Sequence, residues 1–290
     1  MSKKKSIISA LFVMLLWGTL FPMVKLGFGK YDIVSFGDIL YFAGIRFTVG
    51  GIVICGLALL KNRELFKSVK SYIVPILLSG LFAIILHYTF TYAALQLTGG
   101  SKTAILKQIG VLFYVCFSFV FFKDDKFSIK KIVGAIMGLL GIFAINFDLE
   151  SFTFNIGDVF IVSASLCTVA SNIISKKTFK EVNPVALTGI SQLFGGIVLL
   201  VIGKCLGGTM TFSLETSPVM IYICIASIIS YLLWFINVKS GELSKLFVIK
   251  FAEPVFACIF SAMLLGENIF NIQYLLAFIL ISGGIYIVNK

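Results

Sequence analysis

Charged residues are scarce in this chain of 290 residues, and their scarcity limits its class. Only 13% of the residues are charged and 59% are hydrophobic, whereas an ordinary soluble domain has about 25% charged residues. His87 is the single histidine, and the six cysteines show no metal-ligand spacing. No nucleophile with its base and no metal cluster is visible in the sequence. We therefore expect a membrane protein that is not an enzyme and has no cofactor and no metal.

Long apolar runs fill most of the chain. A helix needs about 20 predominantly apolar residues to cross a bilayer. The strands of a membrane barrel alternate apolar and polar residues over about ten positions, whereas the run YIVPILLSGLFAIIL, which starts at Tyr72, is apolar on every face. Helices are the remaining way to satisfy the backbone in hydrocarbon. The predicted fold class is all-α integral membrane with ten transmembrane helices, spans one to ten, at about 6 to 28, 37 to 60, 72 to 95, 101 to 122, 131 to 147, 157 to 175, 185 to 206, 218 to 239, 244 to 265 and 273 to 288.

The net charge of +11 would suit nucleic-acid binding, but the positions of the charges argue against it. Basic residues concentrate in every second connection, while the alternate connections have little beyond Lys30, Lys102 and Lys204. By the positive-inside rule, both termini and the basic connections lie in the cytoplasm. The basic residues concerned precede span one or follow spans two, four, six and eight: Lys3, Lys4, Lys5, Lys61, Arg63, Lys67, Lys70, Lys123, Lys126, Lys130, Lys131, Lys176, Lys177, Lys180, Lys239 and Lys245.

An internal repeat organises the chain. The pattern SKTAILK, which ends at Lys107, returns as SKLFVIK, which ends at Lys250, 143 residues later. At a similar offset of 145, GIRFTVGGIVI at Gly44 aligns with GISQLFGGIVL at Gly189. Five helices per half is an odd number, so we predict two inverted five-helix repeats, residues 1–147 and 148–290, with a substrate site near the membrane midplane where they meet. Other pairs that match at offset 143 are Tyr88 with Tyr231, Ser101 with Ser244, Phe113 with Phe256, and Gly141 with Gly284.

The whole chain resembles the EamA-type members of the drug/metabolite transporter superfamily. The motifs that carry the resemblance are LLWGTLFPMVK in span one, GIRF in span two and EPVFACIFSAMLLGE in span nine. The first half departs from this pattern, because it lacks a proline equivalent to Pro254 and has Asp124 where the second half has Glu267. The resemblance implies a ten-helix transporter of small organic solutes, often an exporter of amino acids, amines or related metabolites.

Several ionisable residues fall inside the predicted spans, where their insertion costs at least about 2.5–3.5 kcal/mol each. At about 1.5 Å rise per residue, Lys107 lies roughly 9 Å below the outer end of span four and Lys250 roughly 9 Å above the inner end of span nine. Arg46 and Glu253 lie nearer the midplane. Such residues usually face a protein interior or a water-filled cavity, so we take all four as candidate substrate-binding residues.

Each of these residues also has a structural interpretation. The lysines, including Lys25 in span one, would then reach the headgroups with their stems in lipid. Arg46 would clamp backbone carbonyls or Glu253, and Glu253 would neutralise Lys250 on the same helix face. Lysines at mirrored depths in both halves favour the cavity interpretation for Lys107 and Lys250.

Aromatic and histidine side chains complete the candidate site. His87 titrates near neutral pH in its unperturbed state, although a lone histidine is more often a hydrogen-bonded packing residue. Trp234 belongs either to an aromatic pocket or to the interfacial aromatic belt. The remaining candidates for substrate binding are Trp17, Tyr88 and Tyr231.

The sequence therefore predicts a secondary transporter. The excess of positive charge within the spans favours an anionic or zwitterionic solute, such as an amino acid or carboxylate, exported by alternating access. Glu253 and His87 are the proton-coupling candidates. Export of organic cations or lipophilic drugs is the alternative, and a non-transporting scaffold or sensor is the alternative of a different class. We expect the solute and the lipid bilayer as partners, no nucleic acid, a monomer or homodimer, and a bacterial cytoplasmic membrane.

Overall fold

The structure, a computed structural model, describes residues 3–97, 103, 106–146, 155–211, 214–266 and 272–290. Every regular element in this part of the chain is helical, which confirms the predicted all-α fold class. Eight of the described helical stretches are long and apolar enough to cross a membrane, and Ile109–Phe121 is a shorter apolar helix. The expected ten spans are Lys3–Lys30, Phe36–Lys61, Ile73–Leu97, Ile109–Phe121, Ile129–Asn146, Ile156–Thr178, Pro184–Cys205, Ser217–Ser240, Leu243–Leu265 and Ile272–Asn289.

Span three is built from more than one kind of helix. It consists of the α-helix Ile73–Gly80, the π-helical segment Leu81–Leu86 and the α-helix His87–Leu97. Two short 3-10 helices, Arg63–Phe66 and Lys70–Tyr72, lie in the connection before it. Isolated π-helical turns inside α-helices occur frequently at functional sites. The π-helical turn here ends directly before His87 and Tyr88.

Spans two and seven pack against each other at close range. A Cβ atom at Gly51 would lie 2.4 Å from the backbone nitrogen of Leu193, and one at Gly196 would lie 2.3 Å from the backbone nitrogen of Thr48. These four positions are two pairs related by the offset of 145. Small residues allow membrane helices to approach so closely that their backbones touch. The crossing therefore requires glycine in both halves.

The packing of the remaining spans follows an approximate two-fold relation. Span one packs against spans eight and nine, and its counterpart, span six, packs against spans three and four. Spans five and ten, which are counterparts of each other, form a pair. Exchanging the two halves therefore reproduces the same set of neighbours. The division into two inverted repeats, residues 1–147 and 148–290, stays a prediction.

The helices of spans four and nine are interrupted, whereas we expected them to be continuous. Lys107 lies in a turn directly before the helix Ile109–Phe121. Lys250 lies between the helices Leu243–Ile249 and Ala252–Leu265. In span nine the cause is Pro254, which has no N–H for the carbonyl of Lys250 and whose ring clashes with that carbonyl. In span four the N–H of Gly110 donates instead to Ser165 Oγ of span six, at 3.1 Å.

Candidate functional site

Lys250 lies against a set of aromatic rings in the interior of the helix bundle. Its Nζ atom is 5.4 Å from the ring centroid of Trp17, 5.5 Å from that of Trp234 and 5.5 Å from that of Phe247. Cation–π contacts of this length stabilise an ammonium group, especially where water is excluded. No carboxylate oxygen of the described residues lies within 4.0 Å of this Nζ. The rings therefore replace the partner that Glu253 was expected to provide.

Two tyrosines related by the internal repeat meet at the centre. The hydroxyl groups of Tyr88 in span three and Tyr231 in span eight are 3.1 Å apart and share a hydrogen bond. Phe47 packs against both rings, at centroid distances of 4.8 Å and 5.7 Å. The ring of Trp17 lies 5.8 Å from that of Tyr231 and 5.2 Å from that of Trp234. The tyrosine pair therefore lies close to the axis that relates the two halves.

Arg46 is a buried cation beside the tyrosine pair. It is 4% exposed, and its Nε donates to Ser227 Oγ at 2.6 Å. Its guanidinium carbon lies 4.8 Å from the ring centroid of Phe47 and 5.8 Å from that of Tyr88. The expected clamp on Glu253 is not formed between these two described residues. The rest of the guanidinium fork therefore faces aromatic rings, with no carboxylate within 4.0 Å in the described part of the chain.

Lys107 and Glu253 form an ion pair between the two halves. Lys107 Nζ lies 3.8 Å from Glu253 Oε1, and the two side chains are 33% and 25% exposed. Glu253 therefore pairs with the lysine of the opposite half and not with Lys250 three residues earlier. The helix bundle therefore covers this pair only in part.

His87 and Trp234 are both attached to span six. The Nδ1 atom of His87 lies 3.0 Å from the carbonyl oxygen of Ala164 and 3.0 Å from Thr168 Oγ1, as in a hydrogen-bonded packing residue. Trp234 is 2% exposed and donates from Nε1 to Asn172 Oδ1 at 2.7 Å. Trp234 is therefore inside the bundle, not in a lipid-facing aromatic belt. His87 also packs edge-on against Tyr88, with ring centroids 5.0 Å apart.

The structure thus brings the predicted site residues into one contiguous group, the central cluster. Lys25, by contrast, is exposed on span one. The sequence analysis missed Phe47, Ser227 and Tyr92. The ring of Tyr92 lies 5.7 Å from that of Tyr88, which it follows by four residues, the spacing that places two side chains on one helix face. The members of the central cluster are Trp17, Arg46, His87, Tyr88, Lys107, Tyr231, Trp234, Lys250 and Glu253.

The family model described as "EamA-like transporter family" matches residues 4–147 of this chain and, a second time, residues 155–290. The chain belongs to this family. The two matched segments have nearly the same bounds as the two predicted halves, 1–147 and 148–290. The resemblance inferred from the motifs in spans one, two and nine is therefore confirmed.

Relatives of similar length support the assignment. The uncharacterized transporter YoaV of Bacillus subtilis (strain 168) is 26% identical over 301 residues, which cover 97% of this chain and 96% of the relative. The uncharacterized transporter YvbV of the same organism is 26% identical over 295 residues, covering 99% and 92%. A solved crystal structure with 20% sequence identity matches with a TM-score of 0.81 over 99% of this chain and 96% of its own; this match supports the fold alone.

Family membership and the apolar helices together define the general activity. The protein is a multi-pass membrane transporter of small solutes. The family and the names of the relatives point to transport and not to catalysis.

Proposed function

We propose that this EamA-like protein exports a small organic anion or zwitterion, such as an amino acid or carboxylate, by alternating access through the central cluster. The charge balance of that cluster is the observation that carries the proposal. Arg46, Lys107 and Lys250 are cationic, whereas Glu253 is its single carboxylate within the described part of the chain. An incoming carboxylate would supply the missing negative charge and accept charge-assisted hydrogen bonds.

The location of the cluster supports alternating access. Lys107 and Glu253 come from opposite halves, and so do Tyr88 and Tyr231. Discontinuous helices at the interface of inverted repeats are a common way to build a transporter site, and both Lys107 and Lys250 lie at helix interruptions. A relative movement of the halves would therefore change the shape of the site directly.

Export of organic cations or lipophilic drugs is the second candidate. The observation that favours it is the set of ring faces around Lys250, because Trp17, Trp234 and Phe247 would also bind a ligand cation. In the present geometry the ammonium group of Lys250 occupies these faces. A cationic ligand would have to displace it, and this is why we prefer the anion.

Two measurements test the proposed substrate class. A thermal-shift screen of the purified protein against amino acids, organic acids and amines identifies ligands, because a compound that binds only the folded state raises its apparent stability. Flux of the best ligand in proteoliposomes then tests transport and its direction. We expect hits among carboxylates and amino acids. A panel in which only amines or lipophilic cations bind and move would favour the second candidate, and binding without flux would favour a sensor.

We further propose that proton coupling, if transport proves pH-dependent, uses Glu253 or His87. Glu253 is partly exposed and bonded to Lys107, whereas His87 is hydrogen-bonded to span six. Protonation of Glu253 would release its hold on Lys107 and make that lysine available to a carboxylate. The combined variant Glu253→Gln, His87→Gln should lose the pH dependence of flux, and a variant that keeps it would exclude both residues from this role.

The proposed setting is a bacterial cytoplasmic membrane, with both termini in the cytoplasm and the protein as a monomer or homodimer of chains with halves 1–147 and 148–290. The alternation of basic connections supports this orientation. Labelling of Ser2→Cys and Asn289→Cys variants with an impermeant thiol reagent in intact cells tests it. Neither cysteine should react before the cells are opened, and a reaction in intact cells would reverse the orientation.

A further inference from the structure

A second charged group lies at the end of the molecule that we predict to be cytoplasmic. This inner network consists of Asp125, Lys131, Glu242 and Ser244. Asp125 follows span four, and Lys131 is in the first turn of span five. Glu242 and Ser244 lie at the start of span nine, in the other half. The inner network therefore connects the two halves at a distance from the central cluster.

Asp125 is the centre of this network. Its side chain is 0% exposed, yet its oxygens accept hydrogen bonds from four donors. Lys131 Nζ donates at 2.6 Å, the backbone N–H of Ser244 at 3.0 Å and the hydroxyl of Tyr114 at 3.4 Å. The hydroxyl of Ser244 also donates to it. A buried carboxylate is tolerated when it is paired and fully hydrogen-bonded in this way.

The pairing within the network suits repeated opening and closing. Lys131 bonds Asp125 within the first half, and Lys245 Nζ lies 2.7 Å from Glu242 within the second half. Within the network, the contacts between the halves are the hydrogen bonds from Ser244 to Asp125 and the ion pair of Lys131 with Glu242, at 3.1 Å. When the halves separate, each carboxylate keeps a lysine of its own half. The network therefore opens without leaving an isolated buried charge.

Two rings connect the inner network to the central cluster. Phe247 is 1% exposed, and its ring stacks on that of Tyr114 with centroids 4.9 Å apart. The same ring lies 5.5 Å from Lys250 Nζ. Ser244, Phe247 and Lys250 follow one another at three-residue spacing, which places neighbouring members on the same helix face. One short segment of span nine therefore carries the inner contact, the apolar layer and a residue of the central cluster.

The internal repeat pairs the residues of the inner network and of the ring pair with residues of a different type in the other half. At the offset of 143, Phe247 and Tyr114 correspond to Ala104 and Ala257. The charged residues also have uncharged counterparts, because Asp125, Lys131 and Glu242 correspond to Asn268, Tyr274 and Gly99. Inverted repeats would place such counterparts at the other side of the membrane; Gly99, Ala104 and Asn268 themselves lie outside the described residues. The sequence therefore predicts that the two ends differ in ring size and in the charge at these positions.

We propose that the inner network and the Phe247–Tyr114 ring pair form the stronger of two gates, so that the resting protein is closed toward the predicted cytoplasmic side. Asp125 is the positioning residue that sets this preference, because it accepts the bonds that cross between the halves. The inference rests on the proposed alternating access. With a stronger inner gate, opening toward the cytoplasm is the less favourable step of the transport cycle.

Hydrogen–deuterium exchange of the full-length protein in lipid nanodiscs tests the gate without any substrate. In the Asp125→Asn variant, we expect the segment 240–251 to exchange about tenfold faster than in the wild type, because charged hydrogen bonds to Ser244 are lost and the inner end opens. Ser244→Ala keeps the backbone donor and should give a smaller increase. The segment 184–205 of span seven should be unchanged in both variants.

The matched control is Asp124→Asn, which removes the neighbouring carboxylate. That side chain is 72% exposed and lies 3.8 Å from Lys176, so exchange at 240–251 should stay as in the wild type. The proposed gate would be wrong if segment 240–251 exchanged equally fast in Asp125→Asn and in the wild type. It would also be wrong if the faster exchange were spread evenly over all spans. Solute flux with an unresponsive segment would count against the gate alone, whereas a responsive segment in a protein that transports nothing would count against the proposed function.

Discussion

The central cluster and the inner network both place lysines and carboxylates at the interface of the two halves, but they satisfy those charges differently. In the inner network, Asp125 and Glu242 each bond a lysine of their own half and a group of the other half. In the central cluster, Arg46 and Lys250 have no carboxylate within 4.0 Å among the described residues, and rings surround them instead.

The difference separates two uses of a charge in a membrane protein. A charge whose partners all belong to the protein contributes to one conformation and is expensive to disturb. A cation that contacts ring faces, or ring faces and a single hydroxyl, can still bind a carboxylate from a ligand. We therefore expect mutations in the inner network to act on stability and conformation, and mutations in the central cluster to act on ligand binding.

The largest effect should come from Asp125→Ala. This change removes the buried carboxylate that accepts from Lys131 and from both donors of Ser244. Lys131 keeps Glu242 and a backbone carbonyl, but Ser244 keeps no partner from this group, so we expect a loss of about 3–5 kcal/mol in the free energy of unfolding. Thermal or denaturant unfolding in detergent measures it. Asp124→Ala, at an exposed position, should change stability by less than about 1 kcal/mol. Similar losses in the two variants would remove the distinction between the buried and the exposed carboxylate.

Lys250→Met should give the opposite pattern. Methionine keeps an unbranched apolar stem against the rings, so the unfolding temperature should stay the same or rise. Binding of an anionic solute should weaken by about 1.5–3 kcal/mol for each lost charged hydrogen bond. Lys107→Met should weaken binding similarly and also lower stability, because Glu253 loses its partner. Titration with the identified ligand measures the affinity. If both variants bound it as tightly as the wild type does, the binding site would lie elsewhere.

The tyrosine pair should show a smaller, mutual effect. Tyr88→Phe and Tyr231→Phe each remove one side of the same hydrogen bond, so the double variant should be less destabilised than the sum of the single variants. The coupling should be about 0.5–1.5 kcal/mol, the usual contribution of one neutral hydrogen bond. A double-mutant cycle on unfolding measures it. Purely additive effects would mean that the two hydroxyls do not interact.

The smallest effect should be that of pH on the inner network near neutrality. Burial raises the pKa of Asp125, but hydrogen bonds from Lys131 and Ser244 outweigh it and hold the pKa below its ordinary value of 3.8. Hydrogen bonds from Lys245 and Lys131 likewise outweigh burial and hold the pKa of Glu242 below 4.5.

The stabilisation from these two carboxylates is therefore complete above their ordinary pKa values and is lost only as the pH falls through the lowered ones. Between about pH 6 and 8, the protection of segment 240–251, after correction for intrinsic exchange rates, should stay constant. A large change in that range would require another titrating group. The charged and titratable groups that face the two carboxylates are Lys131, Lys245 and Tyr114.

Much of the fold was predictable because the signal lies along the chain. Long apolar runs defined the spans, and the repeated motif that ends at Lys107 and Lys250 is the basis of the predicted inverted halves. The interruptions at those lysines were less visible. Pro254 signals one of them, but the other depends on a hydrogen bond from Gly110 to Ser165, a residue of another span.

The pairing of charges was not predictable, because it depends on which faces of the helices meet. Glu253 was expected to neutralise Lys250 in its own helix, yet it pairs with Lys107 from the other half. Asp125 lies in the sequence KDDK between two spans and resembles a solvated loop residue. Its burial follows from contact with Ser244, 119 residues later, and a single sequence does not show such contacts.

The π-helical turn Leu81–Leu86 also affects how this family is aligned. A turn of this kind uses one residue more than the α-helical turn it replaces, while its counterpart, span eight, is a continuous α-helix at Ser217–Ser240. Tyr88 and Tyr231 match at offset 143, so residues before Leu81 lie one position out of register with their structural equivalents. One position corresponds to about 100° around a helix. An ungapped alignment through span three therefore assigns the wrong residues to the lipid-facing side of its first two turns.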